Sequence, residues 1–315
     1  MNPTTGTGKY EQMLERCRAL APVPTAVAHP AEESALAGAM EAGEKGLIVP
    51  ILVGPEAKLR EIAMKAGIDL RNTRIVDVPH SHAAAAKAVA LVRQGEAELL
   101  MKGSLHTDEL LSAVVAKETG LRSGRRISHV FIMDVPTYHK VLLITDAAIN
   151  IAPTLEEKVD ICQNAINLAI SLGLRRPKVA ILAAVETVNS KMSATLDAAA
   201  LCKMAERGQI TGAILDGPLA FDNAISKDAA RIKGIPSDVA GDPDILLVPD
   251  LQSGNMLAKQ LSFLANADSA GIVLGARVPI ILTSRADSLT TRLASCGIAA
   301  LVAQARLESA AKAVA

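Results

Sequence analysis

The feature that most constrains the fold of this chain is a rhythm. Short apolar runs rich in β-branched residues alternate, almost end to end, with longer segments of helical spacing. The runs TAVAH (25–29), LIVPILV (47–53), RIVDV (74–78), ELLM (98–101), VFIMDV (130–135), VLLIT (141–145), KVAILAAV (178–185), AILD (213–216), ILLVP (245–249), GIVLG (271–275) and PIILTS (279–284) read as strands. Amphipathic or alanine-rich segments near 8–20, 31–44, 55–66, 81–94, 106–118, 154–173, 195–207, 254–264 and 288–306 read as helices. Strands that are apolar throughout, rather than in alternation, are buried on both faces, and the intervening helices supply the cover. This predicts a doubly wound α/β architecture with a mainly parallel sheet. One place breaks the rhythm: PTYHK, between the runs at 130–135 and 141–145, fits a hairpin and leaves no room for a crossover helix. With 315 residues the chain exceeds one core, so two domains meeting in a cleft are expected, with a junction near that hairpin.

Charge and composition exclude several functions. The 33 basic and 33 acidic residues cancel, leaving no bulk field to steer the chain onto nucleic acid or an anionic membrane. Two Tyr, three Phe and no Trp leave little with which to stack single-stranded bases. The first residues lack the apolar core of a signal peptide and no long uncharged run spans a bilayer, so a cytoplasmic protein is expected. Cys17, Cys162, Cys202 and Cys296 show no CxxC or Cys/His spacing, which suits reduced, packed thiols and predicts no metal.

Three strand-to-helix junctions carry the candidate chemistry. In IILTSRADSLTTRLAS, Ser284 and Arg285 stand where a strand ends and a helix capped by Asp287 or Ser288 begins. Free backbone N–H groups and the helix dipole favour an anion there, and Arg285 adds a planar bidentate donor, although pairing with Asp287 in a tight turn fits the spacing equally well. In PDLQSGNMLAKQL, a polar loop with Ser253, Gly254 and Asn255 precedes a helix bearing Lys259. Gly254 would permit close approach of a ligand, while an ordinary capped helix explains the same residues. In LLMKGSLHTDELL, Lys102, Gly103 and Ser104 follow a strand and precede a helix capped by Thr107. Three such junctions together point to a polyanionic ligand.

Other features do not hold chemistry. TGTGK (5–9) has Pro3 at the first glycine position of a phosphate loop, Tyr10 in place of Ser/Thr and no preceding strand, so it reads as a mobile tail. His80 and His82 find no third ligand at metal spacing, and His82 is expected to serve a helix start. No GxGxxG follows the first strand.

Taken together, VAILAAVETVNSKMSATLDAAALCKMAERGQITGAILDGPLAFDNAISKDAA, VAGDPDILLVPDLQSGNMLAK and VPIILTSRADS, with MKG (101–103) and GLRSGRRISHVFIMD before them, resemble the phosphate acetyl/butyryltransferase family across nearly the whole chain. DGPLA (216–220) and LTSRADS (282–288) are closer in wording to its phosphate butyryltransferases. The resemblance implies the reaction acyl-CoA + phosphate ⇌ acyl phosphate + CoA, with a short acetyl or butyryl group. It implies a two-domain isocitrate/isopropylmalate dehydrogenase-like fold, with 1–134 plus 273–315 in one domain and 135–272 in the other. A homodimer through the central domain is implied, with no organic cofactor besides CoA as substrate.

The resemblance also implies residue roles. Arg285 would hold phosphate, and Ser284 would donate a hydrogen bond to charge developing in the tetrahedral transition state. Substrate contacts are expected at Lys102, Gly103, Ser128, Asp146, Asn150, Gly217, Pro218, Ser253, Gly254, Asn255 and Lys259. Two departures stand out. Thr291 occupies the place of the aspartate proposed as base in the acetyltransferases, and Ser112 the place of a further arginine, so the general base is unassigned. A dehydrogenase lacks its dinucleotide and metal signatures here. A catalytically silent CoA-binding or scaffolding subunit is the alternative from another class.

Overall fold

Strand β1 (Val23–Ala28) is buried along almost its whole length, as a strand covered on both faces must be. It opens a repeated strand–helix pattern through α1 (Glu33–Glu44), β2 (Ile48–Gly54), α2 (Glu56–Ala66), β3 (Arg74–Asp77), α3 (Ser81–Arg93), β4 (Leu99–Lys102) and α4 (Thr107–Val115). β2 and β4 lie parallel to β1 on its two sides, and β3 lies parallel to β2. β3 is the least buried of the four, as an edge strand should be. The computed structural model describes residues 9, 15–17, 19–283 and 287–314, which fall into two compact units. A flanking unit holds the described residues from Glu15 to Arg125 and again from Ala270. An inserted unit holds Lys9 and Arg126–Ser269.

The inserted unit contains β5 (Ser128–Asp134), β6 (Leu142–Thr145), α5 (Leu155–Ser171), β7 (Lys178–Leu182), α6 (Ser193–Glu206), β8 (Ile214–Leu219), α7 (Phe221–Ile225), α8 (Lys227–Ile232), β9 (Ile245–Leu247) and α9 (Leu251–Leu264). Its strand order is β5-β6-β9-β7-β8. β5 and β6 form the antiparallel hairpin that PTYHK predicts, with Val130 opposite Thr145 and Met133 opposite Leu142, and the other strands run parallel. Met133, Leu142, Ile144 and Leu246 build the core beside Tyr138, whose hydroxyl donates to the Pro243 carbonyl at 2.7 Å. Because β5 pairs with β6, the division at Arg125/Arg126 keeps the whole hairpin in one unit, where the sequence reading ended a domain at 134.

The chain then passes through β10 (Asp268–Leu274), β11 (Ile280–Ile281) and α10 (Leu289–Val314). β11 inserts between β4, to which it is parallel, and β10, to which it is antiparallel. This extends the flanking unit's order to β3-β2-β1-β4-β11-β10.

Five local expectations change, the first being that His106, not Thr107, stands at the N-cap of α4, with Thr107 its first helical residue. The short helices α7 and α8 carry too few turns for a periodic signal. Helix α9 starts at Leu251 rather than 254, because Asp250 caps it by accepting the Ser253 N–H at 2.8 Å. His80, not His82, caps α3, its Nδ1 accepting from the Ala83 N–H at 3.2 Å. Lys9 ends the TGTGK stretch tied rather than free, its ammonium 2.8 Å from Asp134 and donating to the Tyr138 carbonyl at 2.7 Å.

Candidate functional site

In parallel α/β sheets ligands collect beyond the carboxyl ends of the strands, where helix N-termini face them. In the flanking unit, β4 ends at Lys102. Gly103 donates its N–H to Ala28 O, and Ser104 bonds to His29 O through both its N–H (2.9 Å) and its hydroxyl (2.8 Å). A Cβ on Gly103 would fall 2.4 Å from Ala28 O and 2.5 Å from His29 O, so glycine is needed for the packing of two strand ends. Lys102 is buried, its ammonium donating to Gly103 O at 3.1 Å. His29 holds a left-handed backbone (φ 53°), and burial lowers its pKa. β11 runs in register with β4, Ile281 beside Met101, so the two strands end at the same level. Ser284 and Arg285, which follow β11 in the chain, lie outside the described residues. Ser288, next after Asp287, accepts the Thr291 N–H at 3.1 Å, and the Thr291 hydroxyl bonds back to it.

In the inserted unit the carboxyl end of β6 carries a dense polar cluster. Asp146 Oδ1 accepts the N–H groups of Ala148 (2.9 Å) and Ile149 (3.0 Å). Its Oδ2 accepts those of His129 (3.2 Å) and Asn150 (3.3 Å) and the Asn150 Nδ2 (2.5 Å). Asn150 Nδ2 also donates to Ile127 O, and Asn150 Oδ1 accepts from Arg126 Nε at 2.7 Å. Ser128 is fully buried and takes a bond from Asn164. Burial pushes the His129 imidazole down to about 4, against a smaller raising effect from Asp146.

Helix α9 leans on the same loop. Gly254 is the close-approach residue the sequence suggested, but what approaches is protein: its Cβ would fall 2.7 Å from Val248 and 2.9 Å from Asp146 O. Asn255 Nδ2 donates to Ala147 O, and the Ser253 hydroxyl bonds to Asp250. Ser253, Gly254 and Asn255 therefore sit inside the first turns of a helix rather than in a loop. Lys259 is exposed on α9 and pairs with no described acid.

Of the expected residues, Ser128, Asp146, Asn150, Gly254 and Asn255 form one bonded neighbourhood. Gly217 and Pro218 do not join it: they lie on β8, with β7 and β9 between them and β6. The Gly217–Pro218 bond is cis, and a Gly217 Cβ would fall 2.8 Å from Ile181 O, so this glycine also serves strand packing. Lys102 and Gly103 belong to the flanking unit. Sequence reasoning missed Arg126, which lies in GLRSGRRISHVFIMD but was given no role there, Asn164, which has no motif, and His29, whose only signal is its place at the end of β1. Among the described residues no group of three or more His, Cys, Asp or Glu is placed to hold a metal. What the geometry offers is cations, amides and hydroxyls at strand ends, a setting for anion binding and for stabilising developing negative charge.

Comparison with known proteins gives a consistent result. The family model described as phosphate acetyl/butaryl transferase matches residues 80–300. The phosphate acetyltransferase of Rhizobium meliloti is 66% identical over 95% of this chain and 94% of its own length. The phosphate butyryltransferase of Clostridium acetobutylicum is 41% identical over 93% of this chain and 98% of its own. The crystal structure of a branched-chain phosphotransacylase from Enterococcus faecalis superposes with a TM-score of 0.76 at 30% identity, covering 89% of this chain and 99% of that one.

Proposed function

The chain belongs to the phosphate acetyl/butyryltransferase family and is an acyltransferase, and from that premise we propose that it moves a short acyl group between CoA and phosphate within one ternary complex. A phosphate oxygen attacks the thioester carbonyl, a tetrahedral oxyanion forms, and collapse releases CoA thiolate and acyl phosphate; the reverse reaction begins with the thiolate. Both partners are anionic, so positioning them together is a large part of the catalysis. In this reading Arg285 holds the phosphate bidentately and Ser284 donates to the oxyanion. Lys102, buried where β4 ends, adds a cation at the level from which the chain proceeds to Ser284.

The observation that carries the reading is the 66% identity over nearly the full length of both chains. It also favours acetyl as the acyl group, since the butyryltransferase relative stands at 41%. The enzyme is read as cytoplasmic, and no helix among the described residues is long and apolar enough to cross a membrane. It is read as a homodimer through the inserted unit, where Val188, Met192 and Leu196 expose apolar side chains within one short stretch.

Phosphate-dependent release of CoA from acetyl-, propionyl- and butyryl-CoA tests the activity, with acetyl-CoA expected to show the highest kcat/KM. Burial pushes Cys17 up to about 11 and Cys162, Cys202 and Cys296 up to about 12, so a thiol reagent reacts with released CoA faster than with these protein thiols, and an enzyme-only control sets the baseline. Arg285→Ala is expected to raise KM for phosphate by about tenfold or more, the loss of a charge-assisted pair. Ser284→Ala is expected to lower kcat by about a hundredfold. No release from any of the three substrates by folded protein would refute the reading.

A further inference from the structure

The polar cluster beyond β6 has one outward end. Both oxygens of Asp146 are taken by N–H donors, both described bonds of Asn150 Nδ2 run inward, and Ser128 is buried against Asn164. Three residues expected to touch substrate therefore face other parts of the protein. Arg126 differs. Its Nε donates to Asn150 at 2.7 Å, its Nη1 lies 2.7 Å from Glu157, and its backbone N–H donates to Asp160 at 2.8 Å. The side chain is still 49% exposed, and Nη2 has no partner among the described residues. A guanidinium fixed in this way presents a planar donor edge whose rotamer freedom is already lost before anything binds.

We propose that Arg126 is a substrate-binding residue that holds a phosphate group of the CoA nucleotide through Nη2, and that Asp146 and Asn150 are positioning residues that act through it. This rests on the acyl-transfer reading above. Glu157 pairs with Nη1 at 2.7 Å and also accepts the Thr154 N–H at 3.0 Å, and Asp160 accepts the Arg126 backbone N–H, so these carboxylates fix the guanidinium while Nη2 is left to a bound phosphate. Two substrates carry phosphate. Reacting phosphate needs a site from which water is excluded, whereas a half-exposed guanidinium suits the nucleotide end of a long substrate.

Calorimetry of CoA binding and initial rates on wild-type protein, Arg126→Gln, Arg126→Lys and Asn150→Ala test this. In Arg126→Gln the CoA Kd and the acyl-CoA KM are expected to rise about tenfold, one charge-assisted hydrogen bond, with kcat and the phosphate KM within about twofold of wild type. Arg126→Lys should lose less, because it keeps the charge without the fork, and Asn150→Ala should move the CoA constants in the same direction. A rise in the phosphate KM alone would assign Arg126 to the other substrate and overturn the proposal. So would unchanged binding of both substrates, or a fall in kcat and thermal stability with CoA affinity intact, the signature of a residue that only staples the loop to α5. Should Arg126→Gln fail to fold, Arg126→Lys decides by the same constants. Wild-type protein without turnover that still binds CoA would refute the acyl-transfer reading while leaving the Arg126 measurement standing.

Discussion

Two glycines and one aspartate show how far a residue's identity is set by its neighbours. Gly103 and Gly254 invite a reading as ligand-approach positions, yet each meets backbone, Ala28 O in one case and Asp146 O in the other. Gly103→Ala is therefore expected to cost about 1–3 kcal/mol in urea denaturation, since the obstructing atoms belong to β1 and its exit and do not rotate away. Unchanged stability would mean that β1 and β4 part easily. Asp146 is the organising acceptor of its loop. Asp146→Asn should destabilise by about 3 kcal/mol despite its similar shape, because its NH2 group would face N–H donors. Stability within about 1 kcal/mol of wild type would show that the loop tolerates a lost acceptor.

At the scale of elements, helix starts were legible wherever a capping residue stood before an apolar period. Helix α5 has a complete capping box: the Thr154 hydroxyl accepts the Glu157 N–H at 3.3 Å while Glu157 accepts the Thr154 N–H. Thr154→Ala should cost about 1 kcal/mol by thermal or urea unfolding, and no measurable loss would mean that packing alone holds the start of α5. The β5–β6 hairpin was legible because five residues do not reach across a parallel crossover. The start of α9 was misread because Gly254 looks like a loop residue. Asp250 carries the cap instead, and the glycine inside the helix is explained only by Val248 and the Asp146 backbone pressed against it.

At the scale of the whole molecule, pH enters through buried imidazoles. His129 ordinarily titrates at 6.5 and is pushed down to about 4 by burial, so between those values the unfolded chain binds more protons than the folded one. Stability from this group is complete above about 6.5 and is lost as pH falls towards 4, by up to about 3 kcal/mol. His29 in the flanking unit shifts in the same direction, again by burial. His129→Gln should flatten the acid limb of a stability profile measured by chemical denaturation, and an unaltered limb would place its origin elsewhere. The sequence by itself determined the fold class, the order of the strands and the longer helices, and the family, because each is written in local periodicity or in a linear run of residues. Only the tertiary structure decided that β11 inserts beside β4, that Gly254 packs on protein, and that Asp146 holds Asn150, which in turn bonds Arg126. Those outcomes depend on residues distant in the chain arriving at the same strand end, and no local spacing records that meeting.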